Sequence, residues 1–145
     1  TSGVHTWLIL RKASAAVEAR VVESIEHAGL NQTDFSILET LLHKGTLPVN
    51  TLGKKLLLTS GSITTAVDRL VTRGLVARKD HDVDRRIRLV ELTKAGRKLI
   101  TPAFERHAKD LETITSVLSA KDRAALIALL KKLGKDAEQQ GRTET

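Results

Sequence analysis

The chain has 145 residues, 41% of them hydrophobic, enough for one buried core. It contains no cysteine, which excludes disulfides, zinc-thiolate centres and thiol redox sensing, and its aromatic content of 2% disfavours recognition of RNA or single strands by base stacking. The formal charge of +7 is gathered in one place: residues 46–100 hold 12 basic and five acidic side chains, a net of +7, against −1 for residues 1–45 and +1 for residues 101–145.

Cations concentrated in this way suit a surface that releases counterions from a polyphosphate; a solvated basic face without a partner is the blander alternative. No apolar run is long enough to cross a bilayer and the first residues lack a signal-peptide pattern, so a cytoplasmic protein without membrane contact is expected.

From Val4 to Ala28 there is neither glycine nor proline, and Leu10, Ala13, Val17, Val21 and Ile25 recur at helical spacing before Gly29. This predicts a long first helix of about 24 residues. Asn31 is placed to cap a second helix, with Asp34 three positions on to reciprocate. Its buried stripe is Phe35, Leu38, Leu41 and Leu42, and Gly45 ends it. Leu47-Pro48-Val49-Asn50 reads as a short extended piece, followed by a brief helix over Thr51 to Leu57 packed through Leu52 and Leu56.

After a turn at Thr59-Ser60-Gly61, Ile63, Val67, Leu70 and Val71 line one face of a further helix while Ser62, Thr65, Arg69 and Thr72 point elsewhere. A short helix, a turn and a second helix with a small, polar, positive outer face is what major-groove reading requires, because bulky apolar groups would hold base edges away. Leu75 to Lys79 and Ile87 to Leu92 then alternate apolar with charged residues, as half-buried strands do. Asp80, Asp82 and Asp84 form the turn between them, with Arg85 and Arg86 on its ascending side. Acidic neighbours can hold an arginine in a fixed pose for a narrow minor groove.

Thr93 can cap a fifth helix running towards Val117, interrupted by Pro102, which is expected to kink it. Ser119 with Asp122 marks another cap, ahead of Leu126, Ile127, Leu129, Leu130 and Leu133. These leucines and the long first helix carry more apolar surface than a small reader domain can cover, so pairing of two chains is expected.

Residues 30–134 resemble the multiple antibiotic resistance regulator (MarR) family of transcription factors. The carriers are Leu30 to Leu42, SGSITTAVDRLVTRGL from Ser60 to Leu75, Asp84-Arg85-Arg86, and VELTKAG from Val90 to Gly96. The HKG and LP around residues 43–48 and the LLKKLGK of residues 129–135 are most similar to the branch that senses hydroquinones and quinones. The resemblance implies a mainly α fold, a winged helix-turn-helix with a short β-hairpin wing. It places a DNA-binding domain over residues 31–100, with residues 1–30 and 101–145 forming a helical dimerisation region.

It implies also a homodimer on a pseudo-palindromic operator in double-stranded DNA, acting as a repressor and released by a small aromatic or phenolic effector, without a cofactor. Ser62, Thr64, Thr65 and Arg69 would face the major groove, with Ser60 and Arg73 also among the DNA-binding residues. Asp84, Arg85, Arg86 and Arg88 would serve the wing, with Arg86 in the minor groove oriented by Asp84. By the same analogy Trp7, Arg11, Phe35 and Glu39 are effector candidates, although each fits a core or solvated role better. Two departures stand out: Thr65 occupies a place where many relatives carry arginine, and Gly53 replaces a common alanine.

Enzymatic motifs are missing: there is no GxxxxGK loop, GxSxG elbow or HExxH pair. His5, His27, His43, His81 and His107 are dispersed, and the acidic turn around His81 reads as solvated, so no metal site is expected. A metal-responsive winged-helix regulator and a sequence-tolerant architectural DNA protein are the competing functions.

Overall fold

The computed structural model describes residues 1–143 and gives the order α1 (Gly3–Glu26), α2 (Gln32–Lys44), β1 (Leu47–Pro48), α3 (Val49–Lys55), α4 (Ser60–Thr72), β2 (Val76–Asp80), β3 (Arg88–Leu92), α5 (Lys94–Thr115) and α6 (Ala120–Thr143). The chain divides into two compact units, residues 1–110 and the residues from 111 onward.

The first unit holds the core. Ile25 and Leu30 join Phe35, Ile37, Leu38 and Leu41 of α2, Leu52 of α3, and Ile63, Ala66, Val67 and Leu70 of α4; Leu75, Val76, Val90 and Ile100 complete it. Each large side chain so enclosed stabilises the fold by roughly 1.5–3 kcal/mol relative to exposure.

Helix α4 follows from its sequence. Its buried residues recur at i, i+3, i+4 and i+7 from Ile63, which is one helical stripe. Thr59 begins it, its Oγ1 accepting from Ser62 N at 3.1 Å. It ends in a Schellman turn: Leu75 N donates to Leu70 O and Gly74 N to Val71 O, with Gly74 at φ 73°. The polar residues of the opposite face stay exposed.

The sheet is antiparallel in the order β1-β3-β2, with Leu47 opposite Val90, Val76 opposite Leu92 and Asp80 opposite Arg88. A buckle fastens its base. Thr93 Oγ1 donates to Gly74 O at 2.6 Å and accepts from Gly96 N at 3.0 Å, while Thr93 N donates to Leu75 O. Gly96 is required there, since a Cβ would lie 2.0 Å from the Leu75 carbonyl oxygen. Thr93 thus caps α5 as expected, and Pro102 lies inside that helix without ending it.

In the second unit, Ser119 Oγ accepts from Asp122 N at 3.1 Å to begin α6, which buries none of its residues. Leu126, Ile127, Leu129, Leu130 and Leu133 are exposed. On α1 the expected stripe is only partly filled: Ala13 and Val17 are exposed, Leu10 and Val21 half-buried and Ile25 buried, while Val4, Trp7, Leu8 and Ile9 towards the start of the helix are exposed as well.

Several boundaries differ from the sequence expectation. The piece after Gly45 is extended only over Leu47–Pro48, and α3 begins at Val49 instead of Thr51 because proline fixes a φ suited to the residue before a helix. The expected turn residues Ser60 and Gly61 belong to α4, since Thr59 supplies the cap one step earlier. The wing gains a third strand through β1. Asp34 does not reciprocate the Asn31 cap; Asn31 Oδ1 accepts from Asp34 N at 2.8 Å, but the Asp34 carboxylate is engaged by Arg69.

Candidate nucleic-acid interface

The outer face of α4 carries Ser60, Ser62, Thr64, Thr65, Arg69 and, at its C-cap, Arg73, all exposed. Thr65 and Ser62 line an open groove of about 520 Å³ together with Thr33, Leu58, Thr59, Gly61 and Arg69. Apart from Leu58 and Arg69 the side chains there are short, so a base edge could approach the helix closely, and hydroxyls can either donate or accept. Gly53 beneath α4 is buried, and a Cβ added to it would stand 3.1 Å from Ile63 Cγ2. Its replacement of alanine therefore answers to the seat of α4 as well as to local helix propensity.

Arg69 is not a free cation. Its Nη2 donates to Asp34 Oδ1 at 2.7 Å, and while 45% of the Arg69 side chain is exposed, only 5% of the Asp34 side chain is. The hydrogen bond to Asp34 raises the Arg69 guanidinium above its ordinary value. Arg73 Nη1 donates to Gly29 O at 3.4 Å. Further along, Arg78 of β2 pairs with Asp68 of α4, tying the wing strand to the reading helix.

At the wing tip, Asp84 Oδ1 accepts from Arg86 N at 3.0 Å and Arg86 Nε at 3.1 Å, and Asp84 Oδ2 accepts from Arg86 Nη2 at 3.2 Å. First the Arg86 side chain and then its backbone amide hold the Asp84 carboxyl below its ordinary value. The Arg86 side chain is nevertheless 91% exposed, a charge held by its base and open at its end. Arg85 is exposed beside it, and Arg88 Nη1 donates to Asp80 Oδ1 at 2.7 Å across the strands.

The structure thus brings the expected residues into two groups, the α4 face and the wing tip. The sequence reading missed the Asp34–Arg69 pair, whose partners are 35 positions apart and leave no local pattern. It also missed the bond of Arg78 to Asp68 and the part played by His81, whose Nδ1 accepts from the backbone amides of Val83 and Asp84. The effector candidates are dispersed: Phe35 is sealed in the core against the edge of the His107 ring, Trp7 and Arg11 are exposed on α1, and Glu39 is half-buried on α2. None of the four lines the groove beside α4.

Among the described residues no group of three or more potential ligands could hold a metal ion, and no helix is long and apolar enough to cross a membrane.

Residues 30–87 match the MarR family. The HTH-type transcriptional regulator MhqR of Bacillus subtilis is 36% identical over 133 residues, 92% of each chain. The multiple antibiotic resistance protein MarR of Salmonella typhimurium is 31% identical over 105 residues, 72% of this chain and 73% of that protein. Among solved structures, a mutant MarR from E. coli complexed with operator DNA superimposes with a TM-score of 0.77 at 25% identity, over 92% of this chain and 99% of that one. BpsR of Bordetella bronchiseptica does so with a TM-score of 0.79 at 25% identity, over 90% and 98%. Length, wing, reading helix and these likenesses agree: the chain belongs to the MarR family of DNA-binding transcriptional regulators.

Proposed function

We propose that the protein is a cytoplasmic, non-enzymatic repressor that binds a pseudo-palindromic operator as a homodimer and leaves it on binding a small aromatic effector. The observation that carries the DNA reading is the wing tip, where three hydrogen bonds to Asp84 present an otherwise exposed Arg86. Ser60, Ser62, Thr64 and Thr65 read the major groove, Arg86 enters the minor groove, and Arg69, Arg73, Arg85 and Arg88 serve the phosphates around them. Thr65 shortens the reach of α4 where relatives offer arginine, so the wing carries a larger share of recognition.

Dimerisation is supported by the exposed apolar residues of α1 and α6, Trp7, Leu8 and Ile9 on the first and Leu126 to Leu133 on the second. A twofold pair can present its reading helices roughly 34 Å apart, one turn of duplex. In this arrangement residues 1–30 and 101–145 form the dimerisation region and residues 31–100 the reader. An effector acts by preferring a different spacing, through its differential affinity for the two states. One structural relative, BpsR, has its DNA binding regulated by 6-hydroxynicotinic acid, which supports a hydroxylated aromatic ring as the effector class. Trp7, Arg11 and Glu39 are the residues to probe for it; Phe35 could take part only if its core position opened.

The test is binding to inverted repeats selected from a random library, followed by fluorescence anisotropy across salt. We expect affinity in the nanomolar range for the selected site and a steep decline with salt. Equal affinity for random duplex would replace this reading with an architectural one, and a response to chelator would favour a metal-responsive regulator. Sedimentation should show a dimer, and a panel of phenols and quinones should displace the labelled site.

A further inference from the structure

The wing tip contains a second device behind the Asp84–Arg86 clamp. His81 Nδ1 lies 3.0 Å from Asp84 N and 3.2 Å from Val83 N. Both partners are backbone N–H donors, so Nδ1 must offer a lone pair and the ring proton resides on Nε2. The imidazole thereby fills the place that an asparagine or aspartate oxygen takes in an Asx turn, bonding to backbone amides two and three residues on. His81 N closes the same loop by donating to Ile87 O.

The arrangement is serial. The ring fixes the backbone of Asp84, the Asp84 carboxylate gathers the backbone and side chain of Arg86, and Arg86 projects into solvent with its rotamers restricted. A freely rotating arginine would surrender that freedom only on binding, to the detriment of affinity.

We propose that His81 is a positioning residue for operator binding: its neutral ring holds Asp84 where that carboxylate orients Arg86, and proton uptake by His81 withdraws the wing from the minor groove. This rests on the reading of Arg86 given above. A proton added at Nδ1 would set three N–H groups against one another with no acceptor between them, and the tip must open. The charged groups of the same hairpin are Asp80 and its partner Arg88 on the strands, and Asp82, Asp84, Arg85 and Arg86 in the tip, of which Asp84 is bonded to the ring through its backbone amide. An imidazolium competes with Arg86 for Asp84 and with Arg88 for Asp80, which loosens the clamp in the same direction. On a random duplex the sign reverses, because an added cation strengthens attraction to phosphate without any need for a fixed pose. Acidification therefore erodes the preference for the operator over random DNA.

The experiment compares the wild-type chain with His81→Ala, His81→Asn and Arg86→Ala. The probes are a duplex bearing the selected inverted repeat and a random duplex, at pH 8 and pH 5.5 and fixed ionic strength, a range over which imidazole is the side chain that ordinarily changes charge. At pH 8, His81→Ala should lose about tenfold on the inverted repeat, comparable to two modest hydrogen bonds, and little on random duplex. His81→Asn supplies an acceptor without a titrating proton, so it should stay within about threefold of wild type and show a smaller change with pH. Wild type at pH 5.5 should approach His81→Ala. The difference between wild type and His81→Asn isolates this residue from the other histidines, and it remains readable if His81→Ala fails to fold. If Arg86→Ala binds the inverted repeat like wild type, the wing reading itself is wrong. If Arg86→Ala is weakened while His81→Ala binds normally, or His81→Asn shows the full wild-type loss with pH, the role of His81 is overturned.

Discussion

In the last turn of α4, Arg69 donates at 2.7 Å to an Asp34 whose side chain is 5% exposed; at the wing tip, Arg86 donates to Asp84 from both backbone and side chain while 91% of it faces solvent. The chemistry of the two pairs is the same, and burial of the carboxylate separates them. A carboxylate shut away from water needs its cation continuously, so Arg69 serves the packing of α2 against α4 before it serves any ligand. An exposed carboxylate leaves folding nearly unchanged and can instead set the direction of its partner. Sorting the arginines of a basic surface by the burial of their acidic partners therefore distinguishes those committed first to packing from those left open to solvent.

The largest effect is expected where the two regions meet, beneath Leu75. Gly96→Ala places a methyl 2.0 Å from the Leu75 carbonyl oxygen and should destabilise the fold by about 3 kcal/mol, visible as a lowered denaturation midpoint. A midpoint equal to wild type would mean that the buckle yields, and that α4 and the wing are less firmly joined than described. Next, Arg69→Ala should lose about 2 kcal/mol by leaving the Asp34 acceptor buried and unmatched, a figure reduced from the fully buried case because Arg69 is itself half-exposed. If instead it lowered only DNA affinity, the two pairs would be alike and the comparison would fail.

Arg86→Ala should give the converse pattern, an affinity for the inverted repeat about tenfold lower with an unchanged melting temperature. Asp84→Ala, which keeps the arginine but not its orientation, should be milder, roughly threefold, and should not alter dimerisation measured by sedimentation. The smallest effect is in the titration of the Asp84 clamp itself. Because Arg86 lowers the Asp84 carboxyl in the folded state, the clamp is ionised throughout and above the ordinary carboxylate range and is lost only as pH falls below that range, through the depressed value. In the His81→Asn variant, then, affinity for the inverted repeat should fall with this group only below that range, and a carboxylate-like step near pH 5 to 6 would show the clamp to be weaker than its geometry indicates.

Much of the architecture was legible in the sequence because it is written in local periods. The stripe of Ile63, Val67 and Leu70 and the caps at Asn31, Thr93 and Ser119 each depend on neighbours within a few residues, and each is present; the strands on either side of Asp84 form as well, but β2 runs from buried to exposed along its length instead of alternating. The failures share the opposite property. Two residues, Leu47 and Pro48, carry no period, so their pairing with Val90 and Leu89 could not be seen. Asp34 sits where a reciprocal cap would be, and only the folded chain brings Arg69 near enough to claim it. His81 among aspartates suggests a solvated turn or a metal; that its ring accepts from the backbone depends on a tip geometry that composition does not encode. The expected residues on α4 and the wing are exposed apart from the half-buried Asp84, whereas Phe35, an aromatic chosen by analogy, is buried.

The buckle of Thr93, Gly74, Leu75 and Gly96 also has a bearing on engineering. It anchors both strands of the wing at their root, so insertions or deletions confined to residues 81–87 leave the end of α4 and the start of α5 in register, whereas a single added residue between 73 and 76 or between 92 and 96 would unfasten both. The tip is thus a natural grafting point, where loops of other lengths and arginine placements could be exchanged on an unaltered scaffold.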